Sequence, residues 1–301
     1  TRSVSSAASD VYKRQLSTQI LLTQRRKAII ENPCYPALLD ILSQSRCNIE
    51  AVDVDNQGLP PEKLADDINV IFTTPSHHCP TAATMPLSRR KQLLAKAREL
   101  DAIIVEDDYE FEMSFLEPAL PALKSLDNDG RVIYVGSFSK SLFPGMRLGY
   151  LVGPAPFIKE ARALRASVFR HPPGHIQRTA AYFLSLGHYD ALIKRMSKQY
   201  EERYLEMEKS LTKFDLKIAG KAQHGGSSFW VETPKCTNAV KLAQKLLEMD
   251  VVIEPGDPFF VGENHPKNFI RLAYSSISTN KIEAGIKLIA EAISDTGPIT
   301  A

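Results

Sequence analysis

The chain has 301 residues, 44% hydrophobic and 24% charged, a balance that suits a globular protein with a large core and room for two lobes. Lys and Arg number 37 against 35 Asp and Glu, a net charge of +2, so the chain as a whole offers no basic surface for nucleic acid. No apolar run approaches the ~18 residues of a membrane span. The cysteines, Cys34, Cys47, Cys79 and Cys236, form no C-x-x-C pair and read as reduced thiols of a cytoplasmic protein.

Residues 1–15, TRSVSSAASDVYKRQ, have no apolar h-region and no periodicity, and read as a disordered or foreign segment. From Leu16 onward, short apolar runs alternate with helical patterns. Residues 27–31, 48–55, 69–74, 102–106, 131–136 and 147–153 read as strands, several apolar enough to be buried on both faces of a mostly parallel sheet. Between two of them, Ser88 reads as the cap of a helix with Leu93, Leu94, Ala97 and Leu100 along one side and Arg and Lys opposite. This alternation predicts an α/β domain over 16–188. From Tyr189 a long charged amphipathic helix predicts a connector. It leads into a smaller α+β lobe over 189–301, with strands at 227–232, 251–255 and 268–274 and helices over 238–250 and from about Lys281.

Two of the predicted strands run out into reactive groups. Ile103 to Glu106 leads into Asp107, Asp108 and Tyr109, and Ile133 to Gly136 leads into Ser137, Phe138, Ser139 and Lys140. Ligands of open α/β sheets sit at the carboxyl ends of strands. A carboxylate, a phenol, hydroxyls and an amine are thus expected to share one crevice, with Arg147 returning at the start of the next strand. A lysine amine can form an imine with an aldehyde cofactor, and pyridoxal phosphate needs an acid beside its ring nitrogen. Hydroxyls and an arginine fork suit its phosphate. Adjacent His77 and His78 point to opposite faces of an extended chain and are followed by no partner spacing, so no metal site is read there.

The stretch SFSKSLFPGMRLGYLVGP resembles the lysine motif of the class I/II aminotransferases of fold type I. With ENPCYP (31–36), TTPSHHCPT (73–81), EDDYE (106–110) and RHPPGHIQRTAAYFLSLGHY (170–189), it resembles the aminotransferase-like domain of the MocR/GabR branch of GntR-type regulators. That resemblance implies pyridoxal 5'-phosphate held as an aldimine on Lys140. It places Asp107 at the pyridine nitrogen, Tyr109 at the ring hydroxyl and Tyr35 on the ring face. Ser137, Ser139 and Arg147 fall at the phosphate, and Arg271 at a ligand carboxylate. It further implies a homodimer, an amino acid or amine ligand, and DNA contact only through a winged helix-turn-helix domain. No such domain is seen in these 301 residues, and they read as truncated at the amino end. The alternative is a stand-alone transaminase built on the same residues. The family pattern has glycine where Ala82 stands and, in many aminotransferases, asparagine where Cys79 stands. The family's phosphate-binding turn belongs just before the helix containing Leu16, and SAASDVYKRQ (6–15) stands there instead. Ala37 replaces the arginine of the γ-aminobutyrate-sensing branch.

Overall fold

A computed structural model describes residues 2–7, 10–22, 26–45, 47–142, 144–220 and 222–295. In chain order the elements are β1 (Arg2–Ala7), α1 (Asp10–Leu21), β2 (Lys27–Asn32), α2 (Pro36–Ser43), β3 (Asn48–Asp53), β4 (Val70–Thr73), α3 (Leu87–Glu99), β5 (Ile103–Asp108), α4 (Leu123–Leu126), β6 (Val132–Ser137), β7 (Gly149–Pro154), α5 (Ala155–Phe169), α6 (Gly174–Ser185), α7 (His188–Lys213), β8 (Lys217–Gly220), β9 (Ser228–Glu232), α8 (Ala239–Leu247), β10 (Glu254–Pro255), β11 (Phe269–Ala273) and α9 (Thr279–Ser294).

The first sheet has the order β1-β7-β6-β5-β4-β2-β3. Its strands β2 to β6 pair in parallel, and β7 and β1 close the edge antiparallel. Side chains alternate across it, as a strand's period of two requires. Ile30, Val70, Phe72, Val105 and Ile133 pack on one face with Leu38 and Leu42 of α2 and Phe157 and Ile158 of α5. Ile29, Ile71, Ile104 and Val132 pack on the other with Leu93 and Ala97 of α3 and Leu123 of α4. Burial on both faces explains the nearly continuous apolar runs, and each such side chain contributes about 1.5–3 kcal/mol relative to exposure.

The second sheet is antiparallel, β10-β11-β9-β8. Its Phe229, Val231, Ile270 and Leu272 pack against Tyr204, Met207 and Leu211 of α7 and Ile282, Ile286 and Ile289 of α9. The last three are spaced i, i+4, i+7 and so share one helix face.

Several elements depart from the sequence reading. Within residues 1–15, set aside above as disordered or foreign, Arg2–Ala7 pairs along β7 from Arg2↔Pro154 to Ala7↔Gly149, and α1 begins at Asp10. Edge pairing uses main-chain groups and needs no apolar pattern, which is why composition did not reveal it. The helix expected from Ser88 starts at Leu87 with Pro86 as its N-cap. The strand over 251–255 is reduced to Glu254–Pro255, and the last helix starts at Thr279.

Candidate cofactor site

β5 and β6 are parallel neighbours in the register Asp107↔Val135 and Asp108↔Gly136, so the two strands end at the same level. Asp107 therefore emerges beside the turn that carries Lys140. The loop after β6 is closed by Phe138 N–H donating to Leu148 O at 3.1 Å, which brings Arg147 back to the same rim. Arg147 has φ +51°, a left-handed conformation that is uncommon outside glycine. Gly136 is needed at the end of β6, because a Cβ there would lie 2.2 Å from the Tyr150 ring. Tyr35 precedes α2, whose first helical position is Pro36, so the fixed proline φ sets the ring just before the helix.

These residues meet in a cavity of about 550 Å³ lined by Tyr35, Asp107, Tyr109, Ser139, Lys140 and Arg147 from the first sheet's side and Arg271 from the second. Ser137 is buried one step back, and its Oγ accepts a hydrogen bond from Ser139 N at 3.0 Å. The same cavity is lined by Arg14, Asp40, Cys79, Glu254 and Phe259, which the sequence reading did not assign to the site. A larger cleft of about 1260 Å³, lined by Asp55, Lys209, Gln223 and Glu232 among others, contains none of the predicted residues.

Arg14 shows what the cavity accepts. Its Nε donates to Asp107 Oδ2 at 2.6 Å, and its guanidinium carbon lies 4.8 Å from the Tyr35 ring centroid. A planar, delocalised cation thus sits against an aromatic face with an acid at its edge. A protonated pyridine makes the same two demands, so Asp107 and Tyr35 fit the ring of pyridoxal phosphate. The Ser139 hydroxyl is buried with no hydrogen-bond partner among the described residues, which leaves a donor for an incoming anion.

The electrostatics are uneven. Burial pushes the Tyr109 phenol well above its ordinary range, so it stays a neutral donor. Burial also raises the Cys79 thiol to about 11, keeping it protonated. Arg271 is buried, which opposes its charge, but the Glu254 carboxylate bonded to it offsets that, and Arg271 stands above its usual value. Glu254 and Arg271 are directly opposed across β10 and β11 and form an ion pair at 2.5 Å. The only sequence signal for Glu254 was its place in an apolar run, and its register with Arg271 was not legible.

His78 Nδ1 lies 2.7 Å from Thr81 Oγ1 and its Nε2 3.3 Å from Glu31, so this histidine helps fix the connection after β4. His77 is buried beside it, and burial lowers it to about 4.

An amine and an acid thus lie at the carboxyl rim of a doubly wound sheet and share one cavity with an arginine from the second sheet, in a chain of the α/β type. The chain belongs to the aminotransferase class I and II family, whose model matches residues 11–289. It is similar to the HTH-type transcriptional regulator TauR of Rhodobacter capsulatus, with 53% identity over 92% of this chain and 57% of that protein. It is also similar to aromatic-amino-acid aminotransferase 1 of Thermococcus litoralis, with 30% identity over 89% of this chain and 66% of that enzyme. Among solved structures it resembles Pyrococcus horikoshii kynurenine aminotransferase in complex with PMP. The TM-score is 0.92 and the identity 28%, covering 100% of this chain and 76% of that one. The α/β fold with a mostly parallel main sheet and the kinship with GntR-type regulators are as the sequence implied. The chain spans little more than half the length of the regulator it matches.

Proposed function

We propose that this chain is a pyridoxal-phosphate-binding aminotransferase class I/II domain that engages an amino acid or amine at Lys140 and serves as the effector-sensing part of a MocR-type transcriptional regulator. The observation that carries this reading is the convergence of Lys140, Asp107, Tyr109, Ser139, Arg147 and Arg271, from both lobes, on one cavity of about 550 Å³. The 53% identity to a regulator rather than an enzyme favours sensing. When bound, the cofactor supplies an aldehyde for amines and an electron-accepting ring.

The chain's own residues do the rest. Lys140 Nζ is the amine that captures and releases. Asp107 keeps a proton on the ring nitrogen, Tyr35 supports the ring face, and Tyr109 donates from its hydroxyl. Ser137 orients Ser139, which with Arg147 addresses a phosphate. Arg271 pairs with a ligand acid group by a charge-assisted bond worth about 1.5–3 kcal/mol. The lobes divide near 188 and 189, at the start of α7. In the whole protein we expect a cytoplasmic homodimer that reaches DNA through a helix-turn-helix domain.

A second reading is a stand-alone transaminase, supported by the 30% identity to the Thermococcus enzyme. There Lys140 Nζ would also take a proton from the ligand's α-carbon and return it elsewhere.

Absorbance titration of the purified chain with pyridoxal phosphate tests the shared core. Wild-type protein is expected to develop the imine band and to change it with selected amino acids, and Lys140→Ala is expected to do neither. A persistent band in Lys140→Ala would sink the assignment. Turnover with a 2-oxo acid would decide for the second reading.

A further inference from the structure

Glu110 follows Tyr109 at the end of the β5 segment and is 2% exposed. A buried carboxylate is stable only when it is paired and hydrogen-bonded. One partner is the Ser227 hydroxyl, which donates to Glu110 Oε1. The other is Lys140, whose Nζ lies 3.6 Å from the same oxygen.

Other titratable groups that interact with Glu110 are His77, Glu112, Tyr109, Tyr200, Tyr274 and Cys79. His77 also interacts with Glu110, but burial lowers it to about 4, so it is neutral near pH 7. Arg271 is already paired with Glu254. The ion pair that Glu110 makes among the described residues is therefore with Lys140.

The position of Glu110 is set from both lobes. Gly226 N–H donates to Met113 O at 2.9 Å, and Tyr274 O–H donates to Gly226 O at 2.8 Å, which fixes the chain entering β9 against the segment after β5. Gly225 adopts φ +140°, and a Cβ there would lie 2.0 Å from Met113 O. The glycines permit the approach that lets Ser227 reach Glu110.

We propose that Glu110 is a positioning residue that seats the Lys140 ammonium whenever that amine is not covalently engaged. This deepens the reading of Lys140 as the capturing amine. A protonated amine is not a nucleophile. A seat for it therefore holds Lys140 in reserve when free and receives it when a ligand's amine takes its place. Because Ser227 belongs to the second lobe's chain and Lys140 to the first, the seat also couples that amine to the fit between lobes.

The test uses cofactor-free protein and an amine-acylating reagent, with labelling of Lys140 followed by peptide mass spectrometry. At pH 8, Glu110→Gln is expected to label at Lys140 severalfold faster than wild type, because the amine loses the carboxylate that lies 3.6 Å from it. Exposed Lys209 should be unchanged and serves as the internal reference. Glu110→Asp, which restores the charge, should bring the rate back toward wild type. Ser227→Ala, which only loosens the carboxylate, should raise it about two- to threefold, and carries the test if Glu110→Gln does not fold. Lys140 labelling in Glu110→Gln or Ser227→Ala within the scatter of wild type would overturn the proposal. Loss of cofactor capture in Lys140→Ala is a separate outcome, so failure of the functional reading and failure of this one are distinguishable.

Discussion

Ala82 carries a conformational load that its sequence position hints at. It has φ +59°, in the left-handed region, and its N–H donates to His78 O in a tight turn. An L-residue with a Cβ loses about 1–2 kcal/mol there, which glycine avoids. Glycine in turn gives back part of that gain through the freer unfolded chain, about 0.4–1 kcal/mol. Ala82→Gly is therefore expected to stabilise the protein by roughly 0.5–1 kcal/mol, seen as a rise in Tm of about 1–3 °C. A fall in Tm would show that the turn is not strained by alanine. At this scale the site was largely readable. Asp107 is next to last in β5 and Lys140 lies three residues past β6, and a strand end is where an open sheet presents chemistry. Arg14 and Glu254 were not readable, because their roles come from partners, Asp107 and Arg271, that lie 93 and 17 positions away.

At the scale of elements, the connection between β4 and α3 shows how a loop can be buried. It contains Ser76, His77, His78 and Cys79, all buried. Its carbonyls need donors that water cannot supply. Arg90 of α3, fully buried, donates from Nε to Met85 O and from its two terminal nitrogens to Pro121 O and Pro75 O. Burial lowers the proton affinity of Arg90, and nearby Glu106 and Asp108 oppose that. Arg90→Met keeps the apolar bulk and removes these donors. Met85 O and Pro121 O would lose their Arg90 donor, while Pro75 O keeps the Met85 N–H; at about 1–3 kcal/mol for each lost donor, a loss of roughly 2–5 kcal/mol is expected in urea unfolding. A loss under about 1 kcal/mol would mean that the connection is held by other contacts. The sequence placed arginines on the polar side of this helix. Position 90 lies three before Leu93 and seven before Ala97, hence on the apolar face. The strands were legible because double-sided burial leaves an uninterrupted apolar run. Helices α2, α5 and α6 were not drawn out of the sequence, since their faces are mixed. α5, for example, buries only part of its length, at Phe157, Ile158 and Ala161.

At the scale of the whole molecule, the cavity is shared by two sheets with separate cores. Lys140 and Asp107 belong to the first and Arg271 to the second. The segment between β10 and β11 is also tied directly to the end of β2: Cys34 N–H donates to Phe259 O at 2.7 Å, and Val261 N–H to the Asn32 side chain at 2.9 Å. A ligand that bonds to Lys140 at one end and to Arg271 at the other adds a further tie. It can meet the Arg271 Nε, which is buried with no hydrogen-bond partner among the described residues, or take the place of Glu254 on Nη1. Glu254 can leave without penalty from burial, because its side chain is half exposed. Such a ligand binds the folded chain only, so at a hundred times its Kd it stabilises by about 2.7 kcal/mol. Removing a charge-assisted partner weakens binding by about 1.5–3 kcal/mol, roughly ten- to more than a hundredfold. In Arg271→Ala the same ligand concentration should therefore add only about 0.3–1.3 kcal/mol, while stabilisation by pyridoxal phosphate alone is kept. The measurement is a thermal unfolding series with cofactor alone and with cofactor plus an acidic amino acid that perturbs the absorbance. An equal ligand-induced rise in Tm in wild type and Arg271→Ala would show that the second lobe does not grip the ligand through this residue. A rise that vanishes with pyridoxal phosphate as well would place Arg271 in the cofactor's support instead.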